Sequence, residues 1–440
     1  MKNLASIDKL FDSIKTSFWF IPILMVVTSI VSAWLMVWID HAQAWGRLDW
    51  LKFLYQTDQD TLLSLVNTIA ASMITVTSIA FSITIVTLTL ASSQFGPRLI
   101  RNFMDDRGTQ LVLGTFISNF SYCVVLIYCM SLDSNQGIKM GLSIIWCLLA
   151  TLCSVFILIY FIHHVARSIQ ADNVINEICH EINRSVEPLY FSEQASSTQN
   201  SLEGHFVHSL SIETKHSGYL QVLSCQTLCQ LAQTHDMLVE FHWRPGDLIN
   251  KHAELAVLKS HKPIADDLQN EINQCCVIGS IRTPIQDPEY AIHQMVEIAV
   301  RALSTGVNDP YTAITCVDKL CLVLCDLATH KLHQGLHYDG NGVLRLKRRP
   351  YDFSGLANSA FDQIRQYAQD SVAVTIRLLE SLHRIAIATD KTDIHHVLRE
   401  QLKAIQEIKQ KAQYTVKDSQ DFDKSVHKLE RELLVKAESC

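Results

Sequence analysis

A set of hydroxyl side chains, Ser64, Thr68, Thr75, Ser78, Ser82, Thr89 and Ser93, recurs at helical spacing inside a long apolar stretch of this chain. At 100° per residue they fall within about 40° of one line. Hydroxyls in such a stripe do one of two things. They let helices approach closely while bonding their own i−4 carbonyls, or they wet a path for ions or solutes between helices or subunits. Thr77, Thr84 and Thr87 lie off the stripe, and Asn67, the most polar side chain of the stretch, sits near its outer end. Proton-coupled carriers need an ionisable group inside the membrane. None lies deep in this stretch or in the three other apolar stretches, so passive conduction suits the stripe better than a proton relay.

Further along, Arg282, Arg301, Asn308 and Asp309 offer the cationic, amide and acidic groups that a ligand or a neighbouring subunit would engage. The same region also reads as plain structure. Asp287-Pro288-Glu289 starts a helix with an N-cap acid and Pro at N1. Val296, Ala299, Val300 and Leu303 give it an apolar face, and Glu297–Arg301 is an i,i+4 pair. Gly306 is placed to stop that helix at C′, and Asn308-Asp309-Pro310 caps a second helix running to about Thr329. Both readings stay open at this level. Cys321, Cys325, His330, His333 and His337 are the densest set of soft ligands, yet their spacing matches no zinc-finger or HExxH pattern. Cys321 and Cys325 fall on the apolar face of their helix, so no metal and no other cofactor is expected. His163-His164 sits at a membrane boundary, and Asp105-Asp106 has no partner the sequence identifies. With no P-loop, dinucleotide turn, GxSxG elbow or kinase set, an enzyme is not expected.

The elements that must position these groups divide the chain in two. Of its 440 residues 48% are hydrophobic and 18% charged, too apolar for an ordinary soluble protein and too polar for one embedded throughout. The long apolar runs fall before residue 165 and most of the charge after it. A bilayer core of about 30 Å needs about 20 apolar residues of helix. Four stretches qualify, at about 17–39, 62–92, 111–130 and 141–162, with Trp19, Trp34, Trp38 and Trp45 near the ends of the first. The first is too long for a signal peptide and no small-residue cleavage site follows it. The second is long enough to project beyond the bilayer before Gly96-Pro97 stops it. Lys2, Lys9 and Lys15, then Arg98, Arg101 and Arg107, then Arg167 flank one side; Arg47, Lys52 and Lys139, with Asp40, Asp49, Asp58 and Asp60, lie on the other. By the positive-inside rule both termini are cytoplasmic. The net charge of −7 leaves no basic footprint for nucleic acid. Thirteen cysteines, an odd and scattered set with four in apolar segments, read as reduced thiols.

The expected architecture is therefore membrane α-helical, with four transmembrane helices (1–165) followed by a mixed α/β, mostly helical cytoplasmic domain. A connecting helix continues the fourth span from His163 to about Leu189, and Ser192–Ser201 is a polar linker closing the region 166–201. A small β-rich, barrel-like module covers 202–260, with strands at Gly218–Leu223 and Met237–His242, a short helix from Cys225 to Thr234, and a type II turn at Arg244-Pro245-Gly246-Asp247. From 261 to 440 the chain reads as helical, with Lys347-Arg348-Arg349 in a basic turn before Phe353.

Three stretches together carry a resemblance: Ser78-Ile79-Ala80-Phe81-Ser82 through Ser92-Ser93-Gln94-Phe95-Gly96-Pro97-Arg98; Leu113-Gly114-Thr115-Phe116; and Gln286-Asp287-Pro288 with Arg301-Ala302-Leu303-Ser304 and Asn308-Asp309-Pro310. The chain resembles the bacterial predicted membrane proteins grouped as domain of unknown function 2254 over nearly its whole length. Where members usually carry Pro-Gly, it has Thr305-Gly306. The resemblance implies a bacterial inner-membrane protein of this topology and supplies no activity. The expected function is an oligomeric, channel-like conductance lined by the second span and gated by the cytoplasmic domain. The alternative is a non-conducting scaffold or sensor whose cytoplasmic domain binds an unidentified ligand or protein around Arg282, Arg301 and Asp309. The expected partners are the lipid bilayer and further copies of the chain.

Overall fold

The computed structural model describes residues 19–42, 59–97, 103–104, 106–132, 140–190, 206–265 and 267–438. The polar linker Ser192–Ser201, Trp45 and the flanking charges Lys2, Lys9, Lys15, Arg47, Asp49, Lys52, Asp58, Arg98, Arg101 and Lys139 lie outside the described residues. The chain forms two compact units, divided between Asn173 and Val174.

The first unit consists of α1 (Phe20–His41), α2 (Gln59–Phe95), α3 (Arg107–Leu132) and α4 (Gly141–Ser168). All four are long and apolar enough to cross a membrane. They coincide with the expected spans and extend most of them by a turn or more. At 37 residues α2 is about 55 Å long, well beyond a bilayer core of about 30 Å. It ends where Gly96 takes φ +112°, a left-handed stop directly before Pro97. The central helix is α3, which packs on each of the other three. A Cβ on Gly114 would lie 2.6 Å from Met25 Sδ and 3.2 Å from Pro22 Cα, so the missing side chain is what lets α3 approach α1. Val66, Ile69, Met73, Tyr122, Leu126 and Ile144 fill one buried cluster, and Ala80, Leu113, Phe116 and Phe161 another. Large apolar side chains such as Val31, Leu152, Phe156 and Ile159 point outward, as a lipid-facing surface requires.

The expected continuous helix from His163 to Leu189 is interrupted at Ile169-Gln170, and α5 (Ala171–Val186) begins afresh. Asn173 is the cause: its Nδ2 donates to Arg167 O at 2.8 Å and to Gln170 Oε1 at 3.1 Å, a local alternative to the helix ladder. Val174, Ile175, Ile178 and Ile182 form the buried stripe of α5.

In the second unit the strands are β1 (His208–Glu213), β2 (Gly218–Leu223), β3 (Met237–Phe241), β4 (Leu248–Ile249), β5 (Glu254–Ser260), β6 (Cys276–Gly279), β7 (Leu336–Tyr338) and β8 (Leu344–Arg348). They make a five-stranded sheet ordered β1-β5-β3-β8-β7 and a three-stranded sheet ordered β4-β2-β6. The two sheets share one core with α6 (Cys225–Thr234) and α7 (Leu268–Gln274), built on Leu220, Val239, Phe241, Leu258 and Ile272. Two expectations change here. The β-rich, barrel-like module expected over 202–260 is two packed sheets that extend past 260, because β6 and the β7–β8 hairpin return to it from later sequence. The stretch expected as a basic turn is largely strand β8, parallel to β3 with Val239 opposite Leu346. Helices α8 (Pro288–Ala302) and α9 (Pro310–Thr329) intervene, and α10 (Phe353–Tyr367), α11 (Val372–Ala388), α12 (Thr392–Lys411) and α13 (Val416–Glu438) complete the unit.

Candidate functional site

Ser64, Thr68, Thr75, Ser78, Ser82, Thr89 and Ser93 are all exposed on the four-helix unit. The buried side of α2 is the opposite one, carrying Val66, Ile69, Ala70, Met73, Thr77 and Ala80. The stripe is therefore not the seam between α2 and its own chain's helices; those contacts use the apolar face about 180° away. Thr68 donates to Ser64 O at 2.8 Å, and Thr75, Ser78 and Thr89 donate to Ala71 O, Ile74 O and Ile85 O at 2.9 Å. Their protons stay within the helix, and their oxygens face outward.

Polar ties that the sequence did not reveal hold the helix ends together. Asp40, read above as a loop acid, is buried in the last turn of α1. It accepts from Leu142 N at 3.1 Å, Ser143 N at 2.9 Å and Ser143 Oγ at 2.6 Å, capping the start of α4 from another helix. Tyr122 of α3 donates to Ser143 O at 3.0 Å, and Gln59 of α2 to Met130 O at 3.3 Å. At the other end Asp106 caps α3 through Thr109 N at 3.0 Å and meets His164 Nε2 at 2.7 Å. A Cβ on Gly108 would lie 2.6 Å from that ring nitrogen. Burial raises the Asp106 carboxyl, but hydrogen bonds from Thr109 and His164 outweigh it and hold the group below its ordinary value. Asp106 and His164 are 58 residues apart, a separation that gives no local signal.

The four residues singled out in the second half do not meet. Arg282 closes on the N-cap of α8, with Nε 2.8 Å and Nη2 2.6 Å from Asp287 Oδ2. Arg244 donates to Glu289 at 2.5 Å and lies over the Tyr351 ring. Gly246 makes room for this cluster: at φ +96° a Cβ there would fall 2.3 Å from Asp287 Oδ2. Burial raises the carboxyls of Asp287 and Glu289 above their ordinary values despite the neighbouring guanidinium groups. Arg301 lies at the far end of the same 15-residue helix, about 20 Å from Asp287, and faces Glu297 at 3.5 Å. Asp309 is the N-cap of α9, accepting from Thr312 N at 3.1 Å and Thr312 Oγ1 at 2.6 Å. The corner differs from expectation in one respect. The helix ends at Ala302, and Asn308 takes the left-handed conformation (φ +50°) that had been assigned to Gly306; an Asn tolerates it with little strain.

A comparison with known families matches residues 15–384 to the family described as predicted membrane protein, domain of unknown function 2254. The chain belongs to that family. Similar proteins include an uncharacterized protein of Mycobacterium bovis and one of Mycobacterium tuberculosis. Each is 30% identical over 345 residues, which is 76% of this chain and 66% of the relative. The matched region thus spans just under two-thirds of the relatives' length. No solved structure matches the chain.

In this member of the 2254 family the cysteines and histidines near residue 330 are spread over separate contacts. Cys321 Sγ lies 4.0 Å from Cys325 Sγ and 3.6 Å from Ser381 O. His330 stacks on Tyr190, and His333 stacks on His337 at 4.6 Å. Arg348 Nε donates to His337 Nε2 at 3.1 Å. Among the described residues no group of three or more such side chains is placed to hold a metal ion.

Proposed function

We propose that copies of this membrane protein associate through the hydroxyl face of α2 and that the seam between them carries a passive conductance. The supporting observation is that this face lies on the outside of the chain's own four-helix unit while the opposite face is fully used. A stripe of hydroxyl oxygens, with Ala71 and Val86 among them, suits close contact between identical helices and offers neutral oxygen ligands to a passing ion or solute. In this reading the membrane is the bacterial inner membrane, both termini and the second unit are cytoplasmic, and the second unit gates the path. The loop charges support that orientation. A ligand site built jointly from Arg282, Arg301, Asn308 and Asp309 has less support, because these groups serve separate caps and ion pairs.

Two measurements test the reading. Native mass spectrometry in detergent is expected to show an oligomer that Thr75→Leu or Ser82→Leu perturbs. Ion flux into liposomes is expected from the wild-type protein and not from Ser82→Leu. Flux unchanged in Ser82→Leu would remove α2 from the path. An oligomer without flux under any ionic condition would leave association standing and sink the conductance.

A further inference from the structure

Midway along the membrane helices, α1, α3 and α4 border a cleft of about 550 Å³, a volume suited to a small ligand. Asn119 of α3 lines it, about 18 to 20 Å from either end of that helix, and is only 4% exposed. Its Nδ2 donates to Ser154 Oγ at 3.2 Å and Thr151 Oγ1 at 3.4 Å on α4. Those hydroxyls give their own protons to Ala150 O and Cys147 O, each at 2.8 Å, so toward Asn119 they can only accept. That fixes the amide with its NH₂ toward α4. Its Oδ1 is left buried without a partner, a state that costs free energy unless something donates to it.

The remaining hydroxyls around the cleft are committed in the same sense. Thr28, Ser29, Ser32, Thr115, Ser118 and Tyr122 donate to backbone carbonyls at 2.5 to 3.0 Å. The hydroxyls of this wall therefore present lone pairs, not protons. Trp146, Leu149 and Ala150 add apolar surface, and no acidic or basic side chain lines the cleft.

We propose that the cleft binds a neutral, membrane-soluble aromatic alcohol, of the hydroquinone type, whose hydroxyl donates to Asn119 Oδ1. An ion at this depth would meet no counter-charge. At Asn119 Oδ1 and the hydroxyls beside it, an oxidised quinone would set carbonyl lone pairs against lone pairs. The indole of Trp146 favours a flat ring over an alkyl chain.

The test is equilibrium dialysis of the full-length protein in nanodiscs against empty nanodiscs. The probes are a short-tailed hydroquinone, the corresponding quinone and a long-chain aliphatic alcohol. The expected result is saturable hydroquinone binding about tenfold tighter than that of either other probe, the effect of one hydrogen bond to a buried acceptor. Asn119→Leu is expected to weaken it at least tenfold. Ala150→Phe fills the cleft while keeping the Ala150 carbonyl and both Asn119 bonds, and is expected to abolish binding in a protein with wild-type melting. Equal affinity for hydroquinone and quinone, equal binding of the aliphatic alcohol, undiminished binding by Ala150→Phe, or no saturable binding at all would each overturn the proposal.

Discussion

The His337 ring gives a pH dependence that can be worked from its surroundings. Its Nε2 accepts from Arg348 Nε at 3.1 Å, which requires a neutral ring, and His333 stacks on its face. Burial, then the nearby His333 and Arg348, push its pKa from an ordinary 6.5 down to about 4. Between those values the unfolded chain binds a proton at this residue and the folded chain does not, so stability rises with pH across that window. The contribution is complete above pH 6.5 and is lost as pH falls through about 4. A drop of this size is worth at most about 3 kcal/mol. The perturbation is His337→Gln, which keeps an amide acceptor for Arg348 and removes the titration. Denaturant unfolding of the full-length protein in detergent, followed by tryptophan fluorescence, would be compared at pH 7 and pH 4.5. Wild type should lose about 2 to 3 kcal/mol more than the variant over that interval. Parallel pH profiles for the two proteins would refute the account and indicate that the ring titrates normally in the fold.

Three further outcomes follow from the same reasoning. Gly246→Ala places a Cβ 2.3 Å from Asp287 Oδ2 at a left-handed position; it should cost about 3 kcal/mol or more, read as a fall in denaturation midpoint, and wild-type stability would show that the Arg282–Asp287 cluster shifts freely. Asp40→Ala removes three hydrogen bonds at the start of α4 and should destabilise the membrane unit by about 1 to 3 kcal/mol in a detergent melt, with Asp40→Asn recovering part of the loss. Asp309→Ala should cost about 1 kcal/mol through the lost cap of α9, with membrane insertion unchanged; an effect on ligand binding without any loss of stability would revive Asp309 as a contact residue.

Much of the fold was legible because its signals are local. Four uncharged apolar runs of bilayer length announce α1 to α4 whatever surrounds them. Asp287-Pro288 and Asp309-Pro310 start α8 and α9 by capping, chemistry complete within four residues. Arg244-Pro245-Gly246-Asp247 forms its type II turn with Gly246 at φ +96°, as Pro and Gly at those positions require. The errors are just as physical. Gly306 looked like the left-handed residue of the α8–α9 corner, but α8 stops at Ala302 and the reversal falls two residues past Gly306, at Asn308. The stretch from His163 to Leu189 looked like one helix, but the Asn173 side-chain amide bonds Arg167 O across a break at Ile169-Gln170.

The elements and the division into a membrane part and a polar part can be read from the residues alone, because hydropathy, capping and turn chemistry act over a few residues. Whatever depends on partners far along the chain had to wait for the fold. Periodicity places the hydroxyls of α2 on one line, but only packing against α3 decides that this line faces outward. Asp40 caps α4 from 103 residues away, and β8 reaches β3 after three intervening helices. The orientation of Asn119 follows from protons already spent on α4, where Thr151 and Ser154 bond their own carbonyls. Each of these pairings exists only once separate elements are brought within about 3 Å, a distance that hydrogen-bond geometry sets and sequence spacing does not.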